Sequence, residues 1–135
     1  MISLVVLTAI LTPTVYRYPA TITVKAFRYV AHEVSRELGY VFDSKDMECV
    51  VKIVDSESDF RPWLYNGGTP YKRNGHSSAY GLFQGLKDTY KNYGHALDYG
   101  VPCVVRQMRF GLKYIVSRYG SPKRAWRFRL AHGYY

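Results

Sequence analysis

Glu57 is the residue whose type and placement most invite chemistry. It follows the apolar run Val50-Val51-Lys52-Ile53-Val54 and opens the segment Glu57-Ser58-Asp59-Phe60-Arg61-Pro62. Three residues after Val54 and seven after Val50, it continues an apolar helical stripe instead of a wet face. A helix C-terminus carries partial negative charge, which disfavours an acid there. An apolar setting and the unfavourable helix end both raise a carboxyl pKa, as a proton donor requires. A solvated acid at a helix end is the plainer reading of any glutamate. Asp55 and Asp59 fall on the opposite side and suit capping or solvent. A Gly/Asn/Ser-rich loop containing Ser77 and Ser78 separates Glu57 from Ala79-Tyr80-Gly81-Leu82-Phe83-Gln84. Gly81 permits close backbone approach, and Gln84 offers a donor and an acceptor suited to a sugar.

The elements around this pair follow from periodicity. Val24, Phe27, Ala31, Val34 and Leu38 predict an amphipathic helix from about Thr23 to Leu38, stopped by Gly39. Asp43 or Ser44 caps the next helix, which turns Met47, Val50, Val51 and Val54 inward. Residues 61–78 carry Pro62, Asn66-Gly67-Gly68, Pro70 and Asn74-Gly75, which is turn chemistry with a small hairpin at Asn74-Gly75. Trp63, Tyr65 and Tyr71 either pin this loop to the core or wall a sugar cleft. The 79–84 segment is expected to start a helix running to Tyr93. Pro102 is expected to open a central apolar helix to Gly120. Ser121-Pro122 then starts a last helix ended by Gly133.

With 135 residues the chain fits one domain. The expected class is α+β, predominantly α-helical, with the domain at 21–135 and an apolar arm at 1–20. The run Met1–Leu11 is far short of the ~20 apolar residues of a membrane span. No basic residue precedes it and no clear cleavage site follows, so it is read as a retained arm that packs on this domain or docks on a partner protein, with a leader as the alternative. Lys and Arg outnumber Asp and Glu 19 to 10, a net charge of +9 that points to anionic partners and not to a fold. The cluster Lys123, Arg124, Arg127 and Arg129 comes with no nucleic-acid-binding motif, so no specific nucleic acid is expected. Fourteen tyrosines supply flat faces with polar tips, suited to carbohydrate as well as to core. Cys49 and Cys103 read as buried thiols, with one disulfide as the alternative. His32, His76, His95 and His132 lack metal-ligand spacing, so no metal or cofactor is expected.

Glu57-Ser58-x-Phe60-x-Pro62 followed by Ala79-x-Gly81-Leu82-x-Gln84 resembles the catalytic core of the lysozyme-like lytic transglycosylases. The likeness runs from about Cys49 to Tyr135, with Phe83 in place of the family's Met. It implies a lysozyme-like fold with a small loop or hairpin lobe. It also implies cleavage of the β-1,4 bond between N-acetylmuramic acid and N-acetylglucosamine, with a 1,6-anhydro product. By that resemblance Glu57 is the catalytic acid and base, and Ser77 or Ser78 contacts the sugar N-acetyl group. Gln84 and Tyr80 lie on the substrate side. The Ala-Tyr-Asn-Ala-Gly segment that supplies an orienting tyrosine in larger members is missing, which leaves Tyr114 and Tyr134 as expected substitutes. The implied partners are peptidoglycan strands and, through the arm, other proteins of a phage virion or a secretion assembly. The implied setting is a virion tail or ejected protein acting in the periplasm, or else a secreted enzyme. Two further readings stay open. One is a hydrolytic muramidase using Asp59 or Asp88 as a second carboxylate. The other is a catalytically silent virion or secretion component.

Overall fold

The computed structural model describes residues 21–135, so the arm at 1–20 lies outside the described residues. Helix α1 (Val24–Glu37) starts at Thr23, whose hydroxyl accepts the amide of Ala26. It buries Phe27, Val30, Ala31 and Val34. The buried stripe is therefore shifted from the expected one, and Val24 is exposed.

Helix α2 (Ser44–Ser58) begins with a reciprocal cap. The Asp43 carboxylate takes the amide of Asp46, and the Asp46 carboxylate takes the amide of Asp43. Lys123 and that amide hold the Asp43 carboxyl down to about 2. Val50 and Val54 face the core as expected, but Ile53 takes the third core position, and Met47 and Val51, expected inward, are only half-buried at its edge. The helix ends because Asp59 and Phe60 both take left-handed backbone angles, φ 51° and 56°. Neither is glycine, and each such residue costs roughly 1–2 kcal/mol. Burial of the Phe60 ring against Phe27 offsets this, and the Phe60 carbonyl accepts the amide of Ile22.

Residues 61–86 form a loop lobe, of which 61–78 is the loop expected from the sequence. Tyr71 pairs with Ser77 around the Asn74-Gly75 turn, and Tyr65 pairs with Tyr80. Among the described residues β pairing is confined to isolated bridges, so the protein is predominantly helical. Tyr65 packs on Tyr80 and Tyr99, which pins the lobe to the core. Tyr71 stays exposed, and Trp63 sits half-buried under the Arg61 guanidinium.

One expected helix start is corrected. Residues 80–85 make a tight turn, with the Tyr80 amide donating to Gly85 and positive φ at Gly81 and Gln84. Those angles cannot enter a right-handed helix, so α3 is only Lys87–Asn92. A 3-10 turn at Ala96–Asp98 follows. Buried Asp98, joined to His95 and Arg106, fastens it to the central helix, where Lys113 also meets the His95 ring. Pro102 is likewise not the first helical residue: α4 (Val104–Tyr119) starts two positions later, after Cys103.

Helix α4 is the support on which the rest packs. Val104, Val105, Met108, Phe110, Leu112 and Ile115 are buried along it. Gly111 admits the Phe83 ring, because a Cβ there would come within 2.3 Å of it. Gln107 projects its amide into the lobe. It accepts the Leu82 amide at 2.8 Å and donates to the carbonyls of Pro62 at 2.6 Å and Val101 at 2.9 Å.

Helix α5 (Pro122–His132) is capped by Ser121 and ends at left-handed Gly133. Lys123 reaches Asp43 at the start of α2, while Arg129 reaches Ser56 near its end. The two helices therefore run side by side in one direction. Cys49 and Cys103 are buried free thiols.

Gln107→Ala would strand one buried amide and two carbonyls, a loss of about 3 kcal/mol in urea unfolding. Gly111→Ala would gain about 1 kcal/mol of helix propensity but lose more, since overpacking against Phe83 costs ~1–3 kcal/mol. An unchanged unfolding midpoint for either variant would show that the lobe does not depend on α4.

Candidate functional site

The site is assembled where α2 ends. Ser58 is buried, and its hydroxyl lies 2.9 Å from the Leu82 carbonyl, which ties the last turn of α2 to the turn at 81–84. The Arg61 guanidinium returns to the Ser58 carbonyl at 2.8 Å. These bonds fix the backbone on both sides of Glu57.

The Glu57 side chain is only 18% exposed. Its ion-pair partner is Arg129 of α5, with Nε 3.4 Å from the Glu57 Oε1. Arg129 does not belong to Glu57 alone. It donates to the Ser56 hydroxyl at 2.7 Å and to the Gly133 carbonyl at 3.0 Å. Burial pushes the Glu57 carboxyl above its usual value, and the field of Arg129 recovers only part of that rise. Among the described residues no carboxylate contributes to that rise.

Tyr135 stands next to this group, and the nearby Glu57 carboxylate adds to the effect of burial in raising its phenol well above the usual range. The Tyr135 hydroxyl donates to the Phe83 carbonyl at 2.6 Å. Tyr135, Gln84, Tyr114, Phe83 and Phe110 line a partly enclosed cavity of about 140 Å³. That space is smaller than the ~300 Å³ of ordinary ligand pockets, so it suits one substituent of a larger molecule. Burial also pushes the Tyr114 phenol up to about 12, which keeps it protonated as a donor.

The sequence candidates divide on their placement. Gln84 and Tyr114 line this cavity, whereas Glu57 does not and is related to it through its field on Tyr135. Gln84, however, spends its amide N–H groups on the Leu64 and Gly81 carbonyls, at 3.0 and 2.8 Å. Its side chain thus braces the turn, and only its oxygen is left to face the cavity. Tyr80 is 1% exposed among Tyr65, Tyr90 and Tyr99, where no polymer reaches it. The Ser77 hydroxyl accepts the Lys87 amide at the start of α3. Ser78 is buried with a hydroxyl that has no hydrogen-bond partner among the described residues. Tyr134 points outward against Phe128 and His132. Its neighbour Tyr135 turns inward instead, with its hydroxyl on the Phe83 carbonyl and not on Glu57. Sequence reasoning missed Tyr135 and Arg129. Past Gly133 no periodicity tells which of two adjacent tyrosines turns in, and Arg129 reads as one of a basic cluster.

No family model matches the chain, and no curated protein or solved structure matches it. Among the described residues no helix is long and apolar enough to cross a membrane, and no cluster of His, Cys, Asp or Glu has the makings of a metal site.

Because the folded-state pKa of Glu57 is raised, folding and this carboxyl are linked with a definite sign. Below the ordinary Glu pKa of about 4.3 both folded and unfolded chains hold the proton. As pH rises the unfolded chain ionises first, so stability is lost up through the folded pKa. Glu57→Gln should therefore raise the melting temperature at neutral pH, with the advantage vanishing near pH 3. An advantage of equal size at both pH values would mean that titration of Glu57 is not its source.

Proposed function

We propose that the chain is a peptidoglycan lytic transglycosylase of lysozyme-like fold, with Glu57 as its single catalytic carboxyl. The observation that carries this reading is a carboxyl at the end of α2, 18% exposed, with its proton affinity raised by burial and, among the described residues, no carboxylate contributing to that rise. The resemblance of the Glu57–Pro62 and Ala79–Gln84 segments to that family supplies the reaction.

In this reading protonated Glu57 gives its proton to the oxygen joining N-acetylmuramic acid to N-acetylglucosamine. The ionised carboxylate then takes the proton of the muramoyl 6-hydroxyl, which attacks the anomeric carbon of its own ring. The bond to the leaving sugar breaks, a 1,6-anhydro bond forms, and the glutamate ends protonated again. A carboxyl raised by burial above its usual value is a better-placed proton donor than a free glutamate, as general acid catalysis requires. Tyr135 and Arg129 act as positioning residues. Tyr135 holds the Phe83 carbonyl at the cavity wall, and Arg129 limits the directions open to the carboxylate. The setting that fits such an activity is the bacterial cell wall, reached from a phage virion or by secretion.

The hydrolytic alternative asks for two carboxyls roughly 5–9.5 Å apart. Asp59 and Asp88 are both exposed, and neither raises the proton affinity of Glu57. That favours the single-acid route.

Digestion of purified peptidoglycan should yield 1,6-anhydromuropeptides by mass spectrometry, and products with only reducing muramic acid ends would establish the hydrolase instead. Glu57→Gln should fold and lose turnover by at least ~10²-fold, the scale of one general acid. Activity of the unsubstituted protein should fall on the alkaline side as the Glu57 proton is lost. A Glu57→Gln protein that still cleaves the glycan would remove Glu57 from the mechanism.

A further inference from the structure

On the face of α2 and α5 that lies toward their N-terminal ends, a groove of about 520 Å³ opens to solvent. Lys45 and Lys52 stand along one wall, two helical turns apart, and Lys123 and Arg127 stand one turn apart along the other. Trp126, half-buried, and Cys49 give it an apolar floor. Four cations meet a single lining carboxylate, Glu48, which is already paired with Arg28 of α1. Lys123 is engaged with Asp43. Lys45, Lys52 and Arg127 are exposed and have no ion-pair partner among the described residues.

We infer that this groove binds a phosphodiester-linked anionic polymer of the bacterial cell wall, separately from the catalytic cleft. The argument is charge complementarity. Unpaired cations spread along a groove match a repeating anion better than a single one. The Arg127 fork suits two oxygens of one phosphate, and the lysines act as point charges for its neighbours. The Trp126 face supplies an apolar surface for the polyol or sugar between phosphates. The chain's own arm is a poor occupant, because residues 1–20 carry no acidic residue and one arginine. The groove lies upstream of Glu57 along the same helix. A chain held there leaves the end of α2 free for glycan. The choice of a wall polymer over another polyanion rests on the proposed wall-cutting activity, while the binding itself does not.

Titration calorimetry of the full chain with purified poly(glycerol phosphate) wall polymer, at two salt concentrations, tests this. The triple variant Lys45→Gln, Lys52→Gln, Arg127→Gln should bind at least 10-fold more weakly. Its log–log salt slope should fall by about 2, at ~0.7 per lost phosphate contact on a single chain. A control with the same charge change elsewhere, Lys25→Gln, Lys72→Gln, Lys91→Gln, should stay within about threefold of the unsubstituted protein on the same salt-dependence argument. Equal loss in the control, or no binding at low salt, overturns the assignment. Tighter binding of single-stranded DNA or poly-glutamate than of wall polymer overturns the choice of occupant. Peptidoglycan stripped of such polymers separates the two readings. There the groove variant should cleave as well as the unsubstituted protein, and Glu57→Gln should fail to cleave yet still bind the polymer.

Discussion

The amide of Gln107 is the constraint on which the site depends. It is fully buried on the central helix and closes three bonds to backbone from two separate stretches of loop. A buried peptide group without a partner costs about 1–3 kcal/mol, so the lobe could not rest on α4 without something of this kind. Gln107 also makes Gly81 obligatory, because a Cβ there would meet its amide oxygen at 2.5 Å. The turn at 80–85 follows from that contact. Leu82 is held by Gln107 through its amide and by Ser58 through its carbonyl. The end of α2 and the cavity wall are thus set relative to one another by two hydrogen bonds at one residue.

Aromatic packing fills the space around this frame. The Tyr90 ring stacks on Phe110 at 3.8 Å, and its hydroxyl reaches the Tyr80 carbonyl. Tyr99 closes on both the Ser78 and Pro70 carbonyls. Several of the fourteen tyrosines therefore work as core rings whose hydroxyls satisfy loop backbone. That is why a lobe with so little β pairing keeps its shape, and why fewer of them than expected are available to a sugar.

Most of the helical frame was legible in the sequence. Asp43, Ser121 and Gly133 mark helix ends by types that have a physical reason to be there, and Val50 and Val54 were read onto the inner face of α2, where Ile53 joins them unforeseen. The turn at 80–85 was not legible. Gly81-Leu82-Phe83-Gln84 has acceptable helix propensity, and what bends it is the distant Gln107 together with a positive φ at Gln84. In the candidate site, Glu57 could be found from its phase on an apolar stripe. Tyr135 and Arg129 could not, since both reach it by tertiary contact alone. Tyr80 was misplaced for a related reason: an aromatic beside a glycine reads equally well as a cleft wall or as core.

The surroundings of Glu57 pull its carboxyl in two directions, and the combination has a chemical meaning. Burial alone would hold a carboxyl protonated so firmly that it could give a proton but would be a reluctant base at the same pH. A dedicated, unshared arginine would do the reverse and leave it ionised. Arg129 is neither absent nor dedicated, since Ser56 and the Gly133 carbonyl share its donors and it stands 3.4 Å from the carboxylate. The result is a carboxyl raised from its ordinary value but with a cation ready for its ionised form. In the proposed mechanism the carboxyl must donate a proton and then accept one within a single turnover, and this compromise is what such a role would ask for, whereas an acid with a purely structural role would gain more from a closer pair. The parallel arrangement of α2 and α5 produces it, because it brings Arg129 to the end of α2 while the Lys123–Asp43 contact holds the two helix starts together.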